Sequence, residues 1–241
     1  MQWVQHLGGM LGRKLPRWSV RFVCWQTGTR SVCEAHGRIP KMSPKRKIKV
    51  DLVIPIFNEA EIVEQAHEHV REIIDSLSHE FQFIYVDDGS NDGTADTLRK
   101  IAGADPRITV LQLSRNFGHQ AALTAGMDAS SGDVVITMDG DGQHPPELIP
   151  KMLGLIAHGY DIVQTQRIED GRSISFKKWT SNFFYRLINI ISGTQILQGA
   201  ADFRAMSRDA LDGLRSMHEY HRFLRGMISW MGYSSIILPY R

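Results

Sequence analysis

From Lys49 onward, short apolar runs alternate with polar stretches whose apolar residues return at helical spacing. "KVDLVIPIF" (49–57), "FQFIYVDD" (81–88), "ITVLQLS" (108–114), "DVVITMDGD" (133–141) and "YDIVQTQR" (160–167) are apolar nearly throughout, which predicts five buried strands. Between the first two, "NEAEIVEQAHEHVREIIDSL" sets Ile62, Ala66, His69, Val70, Ile73 and Leu77 near a 3.6-residue period. "DGTADTLRKIA", "GHQAALTAGMDAS" and the proline-led "PPELIPKMLGLIAHG" read as further helices, with Asp92 or Thr94 available to cap the first of these. Another helix is predicted over "HEYHRFLRGMISWMGY" (218–233). Strands without a polar face, alternating with helices, require a mostly parallel sheet covered on both faces, so the fold class is α/β.

In such sheets ligands bind beyond the carboxyl ends of the strands. The polar residues that stand out fall there: Pro55, Asn58 and Glu59 after the first strand, Asp87 and Asp88 after the second, Asp139 and Asp141 after the fourth, Arg167 after the fifth. If the fourth strand extends through "MDGD", the i, i+2 spacing points Asp139 and Asp141 to one side. Two carboxylates about 5 Å apart repel by roughly 3 kcal/mol at an effective dielectric near 20, so a cation belongs between them. Hard oxygen ligands suit Mg²⁺ or Mn²⁺. An ordinary Asp-Gly turn is the competing reading of "DGDG", and the acids at the neighbouring strand end favour the metal. "VDDGSNDGT" lacks the glycine spacing of dinucleotide folds and of P-loops. An acid at that strand end can accept hydrogen bonds from a base or ribose, and the glycine permits a close turn below it.

"VIPIFNEAE", "VDDGSNDGT", "LSRNFGHQAALTAG", "MDGDGQHPPE" and "ADFRAMSRDAL", in this order, resemble the family 2 glycosyltransferases, and within them the polyprenyl-phosphate glycosyltransferases. The resemblance runs over about residues 49–241 and implies a GT-A type, Rossmann-like nucleotide-sugar-binding fold. By that resemblance Pro55, Phe57, Glu59, Asp87, Asp88, Asp139 and Gly140 contact the nucleotide-sugar, with Phe57 where tyrosine is common and Gly140 where alanine is common. Asp139, Asp141 and Gln143 match a metal-binding DxDxQ for Mg²⁺ or Mn²⁺. Arg167, Lys177 and Ser181 correspond to residues that meet the acceptor phosphate, and Asp141, Asp202 and Arg167 to the catalytic group. The implied reaction moves a hexose, glucose or mannose, from a UDP- or GDP-sugar to a polyprenyl phosphate, with inversion. A family 2 enzyme with a saccharide acceptor, a nucleotidyltransferase and an inactive nucleotide-sugar-binding module are the alternatives.

Composition refines the picture. With 28 Lys plus Arg against 26 Asp plus Glu, there is no basic field to suggest nucleic acid as a partner. Two cysteines make neither a disulfide framework nor a zinc pattern. No run of about 18 apolar residues crosses a bilayer. "FKKWTSNFFYRLINIIS" (176–192) has the aromatic and basic make-up of an interfacial helix, expected over about 174–192, with an ordinary amphipathic helix packed on the core as the alternative; the lipid acceptor that the resemblance implies favours the former and a peripheral domain at the cytosolic face of the membrane. Residues 1–47 lack a sustained period and are expected as a poorly ordered extension, with Met42 the natural start and 48–241 the catalytic domain. After "SSIILPYR" the hydrophobic segments usual in bacterial relatives are expected to be missing. His67 and His69 read as packing or solvent residues, and His144 as an outer neighbour of the metal. Homo-oligomerisation is left open.

Overall fold

The computed structural model describes residues 17–26, 29–37, 47–168, 200–217, 219 and 222–240. The chain divides into two units, Met1–Ser43 and Pro44–Arg241, each described here by itself. In the first, β1 (Arg17–Gln26) and β2 (Thr29–Gly37) pair as an antiparallel hairpin, with Gln26 opposite Thr29. Val20, Phe22, Val23, Trp25 and Val32 are strand formers, but interspersed arginines obscure the alternation.

The second unit runs β3 (Lys49–Ile56), α1 (Val63–Asp75), β4 (Glu80–Asp87), α2 (Thr94–Ala104), β5 (Ile108–Gln112), α3 (His119–Ala129) and β6 (Val134–Thr137). A 3-10 turn, Pro146–Leu148, leads into α4 (Ile149–Ala157). Then come β7 (Ile162–Arg167), β8 (Ala200–Ser207), α5 (Arg208–Arg215), α6 (Leu224–Trp230) and β9 (Ser235–Tyr240). Seven strands form one sheet in the order β5-β4-β3-β6-β8-β7-β9. Only β8 runs against its neighbours, β6 and β7; the other pairs are parallel.

Alternation along β3 explains the two-sided core. Val50, Leu52, Ile54 and Ile56 join Val63, Val70 and Ile74 of α1, Leu98 of α2 and Met152 of α4 in one cluster. Val53 points the other way, into a second cluster with Leu123 and Met127 of α3, Leu211 of α5 and Leu224 of α6. Leu52 and Leu123 are at most 1% exposed, so truncating either to alanine should cost about 2–5 kcal/mol.

The five predicted strands and the four helices between them are present. Among the described residues of this unit, three elements were not foreseen: β8, whose run is broken by Asp202 and Arg204, the helix α5 and the edge strand β9. The helix expected over 218–233 is the shorter α6. The fourth strand stops at Thr137, so Asp139 and Asp141 do not extend it: they sit in a turn, where the Asp141 Oδ1 accepts the Gln143 N–H at 2.9 Å. Lys177, Ser181 and the interfacial helix lie outside the described residues. Among the described residues, no helix is long and apolar enough to cross a membrane.

Candidate active site

Because β8 runs antiparallel, its first residues reach the same edge as the last residues of β3, β4, β6 and β7. That edge holds a cleft of about 320 Å³ lined by Pro55, Phe57, Glu59, Asp88, Asn116, His119, Asp139, Gly140 and Asp141 among others. Seven residues singled out from the sequence therefore share one cavity wall. Asp87 lies fully buried beside Asp88, Gln143 is exposed on the adjoining turn, and Arg167 is exposed at the end of β7. Asp202, 8% exposed, begins the β8 side of the same edge.

The loops after β3 and β4 hold each other in place. Asn58, at a left-handed φ of 55°, donates its N–H to Ser90 Oγ at 2.9 Å and accepts the Asn91 N–H at 3.0 Å. The Glu59 N–H goes to Thr94 Oγ1 and the Ala60 N–H to Asp92 Oδ2. Asp92 also accepts the Thr94 N–H, which fixes the turn before α2; the N-cap itself is Gly93, without a side-chain cap, rather than the Asp92 or Thr94 expected. Gly89 adopts φ +72°, and a Cβ there would come within 2.5 Å of the Arg115 carbonyl carbon: this close approach brings the segment before α3 against the β4 turn.

The acids are held in different ways. Asp87 Oδ1 accepts the Ser90 N–H at 2.9 Å. Asp88 accepts the N–H groups of Phe117 and Gly118, at 2.7 and 2.8 Å, and so fixes the start of α3. Asp139 Oδ1 accepts from His119 Nε2 at 2.7 Å. The Asp139 N–H donates to His144 Nδ1 at 3.0 Å, which leaves the proton on His144 Nε2, 3.6 Å from Asp139 Oδ2. The His144 ring stacks on Phe203 at 5.2 Å between centroids. Asp202 accepts from Arg204 and from Arg225, the latter through Nε at 3.3 Å and Nη2 at 3.0 Å. Its Oδ2 also stands 3.9 Å from His119 Nδ1.

Ionisation follows from these surroundings. Burial, then the fields of Asp141, Asp139 and Asp92, push the Glu59 carboxyl up to about 7, against a smaller opposing effect of His119. For Asp139, burial would raise the value, but the His119 hydrogen bond and favourable interactions with His144, His119 and Arg225 leave it below the usual carboxylate range. His119 is raised, first by its bond to Asp139, against burial. Burial holds Arg204 below the usual guanidinium range, with Asp202 opposing. Tyr240, opposite Arg167 in the β7–β9 register, is raised by burial and also feels Asp139 and Asp141.

Gly140 has a steric reason to be glycine. A Cβ there would lie 2.0 Å from Ile56 Cδ1, 2.7 Å from Glu59 Oε2 and 3.2 Å from the Pro55 carbonyl oxygen. The turn thus packs directly on the β3 loop. Sequence reasoning gave no role to His119, Arg225 or Tyr240, and placed His144 no nearer than the metal's outer surroundings. The position of His119 after "SRNFG", opening a helix at the ligand edge, was the available signal.

Among the described residues, no group of three or more His, Cys, Asp or Glu side chains is arranged to hold a metal ion by itself. A divalent ion held by one or two carboxylates and shared with a substrate diphosphate needs no such cage. Asp139 and Asp141, with the amide oxygen of Gln143, have the hard-oxygen chemistry for that arrangement.

Solved structures define the class first. A mannosyltransferase of Pyrobaculum calidifontis, solved with GDP-Man and Mn²⁺, superposes with a TM-score of 0.57 at 21% identity, covering 81% of this chain and 56% of that one. Glucosyl-3-phosphoglycerate synthase of M. tuberculosis gives 0.54 at 20% identity, covering 80% and 72%. The fold is the GT-A type. Residues 51–215 match the family model for glycosyl transferase family 2, and the chain belongs to that family. Among curated relatives, the uncharacterized glycosyltransferase YkcC of Bacillus subtilis is 35% identical over 195 residues, 81% of this chain and 60% of its own length. The prophage bactoprenol glucosyl transferase homolog of Escherichia coli is 36% identical over 193 residues, 80% and 63% of the two chains. The bactoprenol glucosyl transferase of Shigella phage SfV is 35% identical, at 80% and 63%. This chain thus spans about three fifths of the length of these relatives.

Proposed function

We propose that this glycosyltransferase moves a hexose, glucose first and mannose second, from a UDP- or GDP-sugar to a polyprenyl phosphate at the cytosolic membrane face. The observation that carries the reading is the acidic cleft at the carboxyl edge of the sheet, where Glu59, Asp139 and Asp141 face one another without Lys or Arg among the described residues that line it. The names of the bactoprenol glucosyl transferase relatives favour the lipid acceptor and glucose.

In this reading Pro55 and Phe57 form the wall against which the base lies, and Asp87 and Asp88 hold the turns that shape it. Asp139, Asp141 and Gln143 would hold Mg²⁺ or Mn²⁺ jointly with the donor diphosphate. When bound, the ion offsets the charge that grows on the leaving diphosphate. Arg167 meets phosphate at the far side, and Lys177 and Ser181 are assigned to the acceptor. An acceptor phosphate oxygen attacks the anomeric carbon as the bond to the diphosphate oxygen breaks on the opposite side, which inverts the centre. Because the nucleophile is already anionic, no strong base is needed. That suits Asp202, whose oxygens are engaged by two guanidiniums: its task is to orient Arg225 and His119.

The test is incubation of purified protein with UDP-[¹⁴C]glucose or GDP-[¹⁴C]mannose, Mn²⁺ or Mg²⁺, and undecaprenyl phosphate in detergent. Label should enter the lipid phase only with acceptor and cation present. Transfer to a soluble saccharide without lipid phosphate would overturn the acceptor assignment. Nucleotide-sugar binding, seen as a thermal shift, with no product under any condition would favour the binding module instead.

A further inference from the structure

The geometry points to His119 as a positioning residue that holds the carboxylate of Asp139 and sets it beside Asp202, where three strand ends meet. The inference rests on the cation site under Proposed function, and goes beyond it by giving a role to a residue outside the acidic motif.

The linkage runs through a chain of contacts. Asp88, just after β4, accepts the N–H groups of Phe117 and Gly118 and so fixes where α3 begins. His119 is the first residue of α3, and its imidazole enters the cleft from that fixed point. Its Nε2 donates to Asp139 Oδ1 at 2.7 Å, on the turn after β6. Its Nδ1 stands 3.9 Å from Asp202 Oδ2, at the start of β8, beyond hydrogen-bond reach, and the Gln120 side-chain amide lies 3.4 Å from the same nitrogen. Asp202 is itself fixed by Arg204 and Arg225, and its carbonyl accepts from Thr137 Oγ1 at 2.5 Å, on the strand that leads to Asp139. One imidazole therefore spans the donor side and the β8 side.

The other contacts of Asp139 explain why this bridge matters. His144 accepts its N–H and faces Oδ2 only at 3.6 Å, so His119 supplies the one short side-chain hydrogen bond recorded for that carboxylate among the described residues. A carboxylate that is to bind a metal needs its orientation set before the metal arrives, and hydrogen bonds from neighbouring side chains do this. An imidazole can donate to Asp139 and face Asp202 at once. A glutamine amide at the same position can reach Asp139 with its nitrogen but has no second ring nitrogen for Asp202.

Two measurements test the inference on the full chain. In the first, Mn²⁺ is titrated in the presence of UDP and free Mn²⁺ is read by electron paramagnetic resonance. His119→Ala should weaken Mn²⁺ binding about tenfold, the lower end of what loss of an orienting partner costs, and His119→Gln should restore most of it. Both variants should show reduced kcat in the lipid transfer assay, since neither links to Asp202. Unchanged or tighter Mn²⁺ binding in His119→Ala would overturn the positioning role. The second needs no cation: the imidazole ¹⁵N resonances of His119 should move in both Asp139→Asn and Asp202→Asn, each checked for folding by circular dichroism. Resonances indifferent to both substitutions would sink the bridge. Should the wild type itself bind no Mn²⁺ with UDP, the cation site and with it this role of His119 fall, while the ¹⁵N shifts decide the bridge independently.

Discussion

The acids of the β3, β4 and β6 ends and the acid of β8 share one edge of the sheet but are held by different chemistry. Asp88 is bound by backbone N–H groups, Asp141 by the Gln143 N–H, and Asp139 by an imidazole. Asp202 is bound by the guanidiniums of Arg204 and Arg225. Backbone amides orient a carboxylate without cancelling its charge, whereas a guanidinium does both. The consequence is visible on Glu59, which burial and the three neighbouring acids push up to about 7. At the β3, β4 and β6 ends, the donor side in the function proposed above, no Lys or Arg among the described residues lines the cleft, and the negative charge is left for a ligand to neutralise. On the β8 side the protein has neutralised it already.

If this contrast is right, removing an acid should have opposite signatures in the two regions. The largest effect is expected for Asp141→Asn: loss of one ion-holding carboxylate should cut transfer by about a thousandfold, since a bound ion contributes several kcal/mol to the transition state. The melting temperature of the cation-free protein should hold or rise, because a repulsive neighbour of Glu59 is gone. Differential scanning calorimetry beside the radiolabel assay checks both. Next comes Asp202→Ala, which removes the carboxylate that faces the buried Arg204 and should cost about 3–5 kcal/mol in urea unfolding. An Asp202→Ala protein as stable as wild type, or an Asp141→Asn protein that unfolds easily, would break the comparison.

Much of the donor side was legible because its residues follow strands that are apolar without interruption. "DLVIPI", "FIYVDD" and "DVVIT" announce both the sheet and where its ligand edge lies, so Pro55, Glu59, Asp88 and Asp139 could be placed before any coordinates. The β8 side was hidden for the physical reason that makes it different. Asp202 and Arg204 neutralise each other inside the fold, and a buried ion pair within a strand reads as a break in a hydrophobic run. Arg225 lies 23 residues from Asp202, and nothing in either segment announces the other. The turn at Asp139–Asp141 shows a third kind of limit. Sequence spacing suggested a strand, but Asp-Gly chemistry ended it at Thr137, and the carboxylates meet the cleft from a turn instead.

A smaller effect sharpens the donor side. Gly140→Ala would drive a methyl into Ile56 and against the Pro55 carbonyl, so the β3 loop must shift to accept it. The expected cost is about 1–3 kcal/mol, with a raised KM for the donor because Phe57 and Glu59 ride on that loop. A stability equal to wild type would show that Ile56 can move aside freely, and that the close packing of this turn does not shape the cleft.

The smallest effect separates two histidines of the donor side by their surroundings. His119 sits among carboxylates, and its ionisation is raised, first by the hydrogen bond to Asp139. His67 lies on the buried face of α1 against β4, with Nδ1 3.0 Å from the Tyr85 hydroxyl and its ring edge-on to Phe83 at 4.7 Å, and burial lowers its ionisation. A histidine whose folded value is depressed binds its proton more readily in the unfolded chain. Its contribution to stability is therefore present above the unfolded value of about 6.5 and is lost as pH falls below it. Between pH 7.5 and pH 5.5 the wild type should lose more melting temperature than His67→Gln, which cannot titrate and keeps a group able to bond to Tyr85. Equal slopes for the two proteins would mean that His67 takes up its proton without disturbing the fold, and that apolar packing alone does not distinguish the histidines of this half.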